Sequence, residues 1–341
     1  MKALMYQGAR DMPLVDIPEP EPGENEVKIS VSYCGICGSD IHGYTGESGR
    51  KIPPMIMGHE FSGRVTALGE KVTKFRVGDR VTVQPVMFCG TCEFCRAGNM
   101  NICKNRRGLG VLDVNGAFTE YICVEEQYVY LLPDHVDDYA GAMLEPLSVA
   151  YHAVKHIQPV GDKNIFIAGT GTIGLLILKL VRAFGAGRIV VTDLSDDRLS
   201  LAEKLGADIT INPSKEDVAL RLRQEGLTEQ IDLAIECVGA SSTAQQTVEC
   251  VKIKGMVLWV GNAAKMIQVN MQQIVTRELT VKGTYAFTET DFKNALGLLA
   301  EEKIKVSDLI TRIVPLEQTE EAMQSLLDHS ADDIKILVKV R

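Results

Sequence analysis

Asn164-Ile-Phe-Ile-Ala-Gly-Thr-Gly-Thr-Ile-Gly174 decides the fold of the second half of this chain. An apolar run ends in Gly-x-Gly-x-x-Gly and passes into the helical pattern Thr172 to Phe184, so it reads as a strand, a tight turn and a crossover helix. Gly169 permits the turn, Gly171 lets a pyrophosphate approach the backbone, and Gly174 lets helix pack on strand. The helix start, with Thr172 and Ile173, faces the phosphates, and its dipole favours their charge. The hexad alone is weak evidence, and its placement between strand and helix strengthens it. Asp193 follows about twenty residues later at the end of the next strand, where a carboxylate accepts both ribose hydroxyls of adenosine. This predicts NAD rather than NADP, whose 2'-phosphate would meet the charge of Asp193. Arg198 is expected over the adenine face, and Val260 and Gly261 are counted in the same cofactor-binding set. The competing reading makes Gly171 a packing glycine and Asp193 a helix cap.

Outward from this motif, from about 148 to 285, apolar runs alternate with helical patterns. The runs are Asn164 to Ala168, Arg188 to Thr192, Ile209 to Asn212, Leu233 to Cys237 and Met256 to Val260. The helical patterns are Thr172 to Phe184, Ser195 to Leu205, Lys215 to Glu225 and Ser241 to Val251. Strands buried on both faces by crossover helices give a doubly wound parallel sheet. Residues 1 to about 147 differ: short β-branched runs are cut by Gly and Pro, at Glu26 to Tyr33, Phe61 to Ala67, Arg80 to Val83, Ala117 to Val124 and Tyr128 to Leu132. After about 286 a helical Glu289 to Glu301 and a strand Ile334 to Val340 are expected to return to this mostly-β domain. The fold class is therefore α/β.

Cys89, Cys92, Cys95 and Cys103 lie within fifteen residues at a CxxCxxCx7C spacing, which suits one closed tetrahedral zinc site. Gly90, Gly98 and Asn99 are expected to turn the backbone inward between these ligands. The alternative is a disulfide cluster. Met1 leads through Lys2 into an amphipathic strand with no apolar signal region, so a reducing cytoplasmic setting is expected. Cys34, Cys123, Cys237 and Cys250 read as small buried hydrophobes.

A length of 341 residues implies about two domains, and a net charge of −9 without any basic run argues against nucleic acid and anionic membranes as partners. No stretch approaches the roughly 20 apolar residues that span a bilayer. The expected partner is a small molecule.

The reactive centre must come from the first half. Gly35-Ile-Cys-Gly-Ser-Asp-Ile-His42 carries Cys37, Gly58-His-Glu-Phe-Ser-Gly63 carries His59 and Glu60, and Leu144-Glu-Pro146 carries Glu145. One thiolate, one imidazole and one or two carboxylates leave a position open for water or substrate, as a catalytic metal requires. Glu60 and Glu145 could each be a direct ligand or an outer partner. With the cysteine cluster this predicts two zinc ions per chain. A lone Cys37 or His59 would more often be a core residue.

The chain resembles the zinc-containing medium-chain dehydrogenases, the alcohol dehydrogenase superfamily, over nearly its whole length. The likeness rests on Gly58-His59-Glu60 through Gly63 and Gly69 to Val72, on Val-Gly-Asp-Arg-Val at residues 77 to 81, on the cysteine lobe at 89–103 and on the nucleotide fingerprint in that order. The resemblance implies a GroES-like catalytic domain from residues 1–147 and 286–341, with a Rossmann nucleotide domain at 148–285 between them. It implies Cys37 and His59 as catalytic-zinc ligands and a homo-oligomer, a tetramer or dimer. Glu145 in Leu-Glu-Pro-Leu-Ser-Val, where alcohol dehydrogenases themselves carry a third thiolate, looks like the polyol and butanediol dehydrogenase branch, as does Thr192-Asp193-Leu-Ser with Arg198. The terminal Leu326-Leu-Asp-His-Ser and Ile334-Lys-Ile-Leu runs also resemble butanediol dehydrogenases. Sorbitol-type members carry an aromatic where this chain has Gly43 and an arginine near Ala286. Threonine dehydrogenases place a histidine just before the cysteine lobe, where this chain reads Gln84-Pro-Val-Met-Phe88.

The expected reaction moves a hydride between a secondary alcohol, a small diol, polyol or sugar alcohol, and NAD, giving the ketone. An alcohol on a divalent metal loses its proton far more readily than a free one, as metal-bound water does with a pKa of about 7. Ser39 could pass that proton to His42, and Asp40 could orient His59. Blander roles are a turn residue for Ser39, a helix cap for Asp40 and a surface group for His42. Alternatives of substrate are a polyol phosphate, such as galactitol 1-phosphate, or threonine; an alternative of class is a silent nucleotide-binding protein of the same fold. His135, His152, His156 and His329 follow no ligand spacing, although His152 is close enough to Glu145 in sequence to approach the pocket.

Overall fold

The computed structural model describes residues 1–112, 114–328 and 333–341, so His329 lies outside the described residues. The chain forms two compact units: Met1–Pro146 together with Thr288–Arg341, and Leu147–Phe287. Among the described residues, no helix is long and apolar enough to cross a membrane.

The first unit is built on a seven-stranded sheet. Six strands run in the order Val129–Leu131, Arg80–Val83, Glu60–Leu68, Glu26–Gly35, Lys335–Lys339 and Ile310–Pro315, and Tyr121–Glu125 also pairs with Glu26–Gly35. Within Glu26–Gly35 the alternate residues Val27, Ile29 and Val31 are fully buried, the period of two that one core-facing strand surface requires. The C-terminal strand Lys335–Lys339 pairs antiparallel with the same central strand, Leu337 opposite Gly35. A residue nearly 300 positions away thus reaches the Cys37 segment.

The strand expected over Ala117 to Val124 begins only at Tyr121. Gly116, Ala117 and Phe118 instead give their N–H groups to the carbonyls of Ile56, Gly58 and Met57. A Cβ on Gly116 would stand 2.1 Å from the Gly58 carbonyl oxygen, so this close crossing needs glycine. It braces the turn that presents His59.

The second unit holds six parallel strands in the order Ile209–Ile211, Ile189–Thr192, Ile165–Ala168, Ile231–Glu236, Val251–Trp259 and Thr280–Gly283. Numbered along the chain this is 3-2-1-4-5-6, the Rossmann order. Ile165 through Ala168 and Ile189 through Val191 are fully buried, because helices cover both faces. Two elements were not evident in the sequence: the helix Met271–Thr276 and the sixth strand Thr280–Gly283, which is only four residues long and carries a lysine. The helix expected from Lys215 begins at Val218, because the Asp217 side chain caps it by accepting from the Leu220 N–H at 2.7 Å.

Candidate metal centres and nucleotide site

The four-cysteine lobe lies between the paired strands Val86–Met87 and Arg107–Gly108. Gly90 and Gly98 take φ of +71° and +80°, as expected, whereas Asn99 stays at −100° and contributes no left-handed turn. Cys89 Sγ stands 4.0 Å from Cys95 Sγ and 3.5 Å from Cys103 Sγ. Cys92 Sγ stands 3.5 Å from Cys95 Sγ and 3.9 Å from Cys103 Sγ. These distances far exceed the roughly 2.05 Å of a disulfide. Four thiolates about 2.3 Å from one tetrahedral ion would lie about 3.8 Å apart, and the observed values bracket that separation. Backbone N–H groups of Thr91 and Cys92 hold the Cys89 thiol down to about 5, so thiolate is favoured.

A second cluster brings Cys37, His59 and Glu60 together, with one donor atom of each within 4.8 Å of the others. Cys37 caps the short helix Gly38–Tyr44: its Sγ accepts from the Ser39 N–H at 3.4 Å, and the Asp40 carboxylate reaches back to the Cys37 N–H at 3.2 Å. This reciprocal cap fixes the sulfur at the start of the helix. Gly58, at φ +90°, turns the chain so that His59 precedes the strand Glu60–Leu68. Glu60 pairs opposite Gly35, where a Cβ would meet Glu60 Oε2 at 2.1 Å.

Two buried lysines complete the centre, and neither was identified from the sequence. Lys335 Nζ lies 2.7 Å from Glu60 Oε2 and donates to the Ile36 carbonyl at 3.0 Å. Lys51 Nζ lies 2.7 Å from Asp40 Oδ1. Lys335 stands between Ile334 and Ile336 and Lys51 between Arg50 and Ile52, where a lone lysine reads as a solvated edge. Burial alone would raise the Asp40 carboxyl, but the Lys51 ammonium and His59 outweigh it and hold it well below the usual carboxylate range. Burial would lower His59, yet the Asp40 carboxylate and Cys37 thiolate raise it well above its ordinary value.

His59 Nδ1 faces Asp40 Oδ1 at 3.5 Å, too long for a well-formed hydrogen bond, and is otherwise a buried nitrogen without a partner. A thiolate, such an imidazole and buried carboxylates are a donor set that suits zinc. Glu145 is 9% exposed and falls outside the cluster of three; burial and the nearby Glu60 charge push its carboxyl up, opposed by His59, to about 7. Ser39 and His42 lie three residues apart on the exposed side of the Gly38–Tyr44 helix, with no direct hydrogen bond between their side chains. Asp40, for which a helix-cap role was the bland expectation, does cap and also faces His59.

In the second unit Gly169 adopts φ +96°, and a Cβ on Gly174 would stand 1.9 Å from the Gly169 carbonyl oxygen. A Cβ on Gly171 would meet nothing within 4 Å. Gly171 caps the helix Thr172–Ala183 without a side-chain acceptor. Asp193 Oδ2 accepts from the Thr170 N–H at 2.7 Å and Oδ1 from the Ser195 N–H at 3.0 Å, which ties the carboxylate to the glycine-rich turn. Arg198 lies in the first turn of the helix Asp196–Lys204. Val260 and Gly261 give their N–H groups to the Glu236 carbonyl, and a Cβ on Gly261 would stand 2.1 Å from the Gly239 nitrogen. Glu236 was not anticipated: its buried Oε1 accepts from the N–H groups of Val238 and Gly239 and from the Thr243 hydroxyl.

The remaining histidines have other partners. His152 Nε2 and His156 Nε2 are 3.1 Å apart, and His156 Nδ1 lies 2.9 Å from Lys282 Nζ, all within the second unit. His135 Nε2 bonds the Ala300 carbonyl at 2.8 Å.

The alcohol dehydrogenase GroES-like domain family matches residues 23–134, and the zinc-binding dehydrogenase family matches residues 172–301. A sorbitol dehydrogenase of Halalkalibacterium halodurans is 35% identical over 344 residues, covering 99% of each chain. An L-threonine 3-dehydrogenase of Saccharopolyspora erythraea is 35% identical over 329 residues, covering 95% of each. The solved 2R,3R-butanediol dehydrogenase from Bacillus subtilis aligns with a TM-score of 0.90 and 33% identity, over 100% of this chain and 99% of that one. With a thiol tetrad at zinc spacing and a Rossmann sheet behind a glycine-rich turn, these matches show that the chain belongs to the zinc-containing medium-chain dehydrogenases, as an oxidoreductase of the alcohol and polyol dehydrogenase type.

Proposed function

We propose that this protein oxidises the secondary hydroxyl of a small vicinal diol or polyol to the ketone, with NAD as hydride acceptor. The observation that carries this reading is the charge pairing around Cys37. Lys335 is matched to Glu60 and Lys51 to Asp40, so both carboxylates are neutralised. Cys37 and Glu145 have no such lysine salt bridge among the described residues, and a divalent cation bound at both would displace their protons and balance the charge left behind. This pairing supports Cys37, His59 and Glu145 as ligands, with Glu60 an outer partner whose oxygen Lys335 engages.

Held there by Cys37, His59 and Glu145, zinc would supply the Lewis acidity that eases loss of the substrate hydroxyl proton, and NAD would supply the hydride acceptor. Asp40 holds the His59 ring. Ser39 accepts the hydroxyl proton and His42 hands it to solvent, so each turnover yields one ketone, one NADH and one proton. Asp193 takes both ribose hydroxyls while bracing Thr170, and Arg198 covers the adenine. The N–H groups at the Thr172 helix start hold the pyrophosphate. Cys89, Cys92, Cys95 and Cys103 hold the second, structural zinc. The GroES-like catalytic domain is assigned to residues 1–147 and 286–341 and the nucleotide domain to 148–285.

The substrate reading draws support from the sorbitol and butanediol dehydrogenases at 35% and 33% identity. The threonine relative, equal in identity, keeps a β-hydroxy amino acid as a second candidate with the same hydride chemistry. Incubating the metal-replete protein with NAD and diols, polyols, polyol phosphates and threonine, while following NADH, tests the reading. Vicinal diols or polyols should be turned over fastest, and activity with threonine alone would overturn it.

A further inference from the structure

Resting on the reading of Cys37 and His59 as zinc ligands, we propose that Lys51 is a positioning residue of the metal centre: through Asp40 it fixes the His59 ring and the Cys37 turn, and its stem fills the space of a side chain at residue 43. The Lys51 side chain is 1% exposed, and its Nζ bonds both Asp40 Oδ1 and the Gly110 carbonyl. Asp40 is fully buried. Its Oδ2 accepts from the Cys37 N–H at 3.2 Å, and its Oδ1 faces His59 Nδ1 at 3.5 Å. One carboxylate therefore touches both ligand segments, and the ammonium behind it holds it in place. Without Lys51 the carboxylate would be buried with too few partners and free to swing away from both segments.

Gly43 gives independent support. A Cβ there would stand 2.2 Å from Lys51 Cγ and 3.2 Å from Lys51 Cβ and Cδ, so this chain holds either Lys51 in its present rotamer or a side chain at 43. The buried lysine stem stands in that space.

The test reads zinc rather than turnover. Wild-type protein should hold two zinc ions, and the rate at which an excess of a coloured chelator strips each is compared with Lys51→Met, Asp40→Asn and the double variant. The Cys37→Ser protein, expected to hold only the four-cysteine zinc, identifies which ion is which. Lys51→Met should release the Cys37-centre zinc about 10- to 100-fold faster, leave the four-cysteine zinc unchanged and shift the visible spectrum of the cobalt-substituted protein. Asp40→Asn and the double variant should match each other, because Lys51 acts through Asp40. Wild-type release from Lys51→Met, or equal acceleration of both ions, would overturn the proposal. If Lys51→Met does not fold, the Asp40→Asn pair decides, since the double variant leaves neither buried charge behind; faster release from the double variant than from Asp40→Asn overturns it. A wild-type protein with only the four-cysteine zinc would sink the ligand reading beneath it, an outcome visible before any variant is made.

Discussion

Lys335 Nζ lies 2.7 Å from Glu60 Oε2, and both residues are almost wholly buried, at 3% and 1% exposure. The pair joins the last strand of the chain to the segment that carries His59. Breaking a buried pair by removing one partner is costly because the other charge is left uncompensated, by about 3 to 5 kcal/mol. Lys335→Met should therefore destabilise the protein by about that much in chemical denaturation, while Lys335→Met with Glu60→Gln should recover most of the loss. Equal loss in single and double variants would show that packing, not charge, is at stake.

Cys92→Ser and Cys37→Ser should fail differently. The first breaks a closed thiolate site whose metal binding is folding energy, so soluble yield and thermal stability should fall. The second should remove one zinc and activity and leave the circular dichroism spectrum and melting transition close to wild type. Equal loss of solubility would contradict the division of roles.

Gly171→Ala and Gly174→Ala make a matched pair. The added methyl at 171 meets nothing within 4 Å, whereas at 174 it would lie 1.9 Å from the Gly169 carbonyl oxygen. Gly171→Ala should keep the wild-type melting temperature and raise the KM for NAD by about tenfold, the effect of about 1.4 kcal/mol. Gly174→Ala should lower stability, because helix and strand must part. An unchanged KM in Gly171→Ala would remove the case for pyrophosphate approach there.

Asp193 does two jobs, and the substitution must separate them. Its oxygens already brace the N–H groups of Thr170 and Ser195, so Asp193→Ala should weaken both cofactors by loosening the turn. Asp193→Asn keeps one acceptor oxygen and removes the charge. The ratio of kcat/KM for NAD over NADP should drop by about 10-fold or more, since hydrogen bonds to a charged group are worth about 1.5 to 3 kcal/mol. A wild-type preference for NADP would refute the assignment.

The nucleotide half was legible because buried parallel strands print as apolar runs, and Gly169, Gly171 and Gly174 stand where backbone must turn, open or pack. The thiol tetrad was legible because its ligands are local. What escaped was long-range pairing. Nothing near Ile334-Lys-Ile in the sequence names Glu60, 275 residues earlier, as the partner of Lys335. Lys51 and Asp40 are only eleven apart, but their pairing depends on the turn between them. Glu236 escaped because its partners are backbone N–H groups, which a sequence does not display. The strand placed over Ala117 failed for a related reason, its hydrogen bonds going to the Gly58 turn instead.

The most direct test of the account compares kcat/KM for 2,3-butanediol and 2-butanol with NAD and the two-zinc protein. Both offer the same secondary carbinol, so the ratio isolates the neighbouring hydroxyl. If the second hydroxyl pairs with polar groups of the site, the mono-alcohol leaves them unpaired, and the proposed function predicts that the diol is favoured by at least about 10-fold. Equal efficiency on the two alcohols would contradict the account.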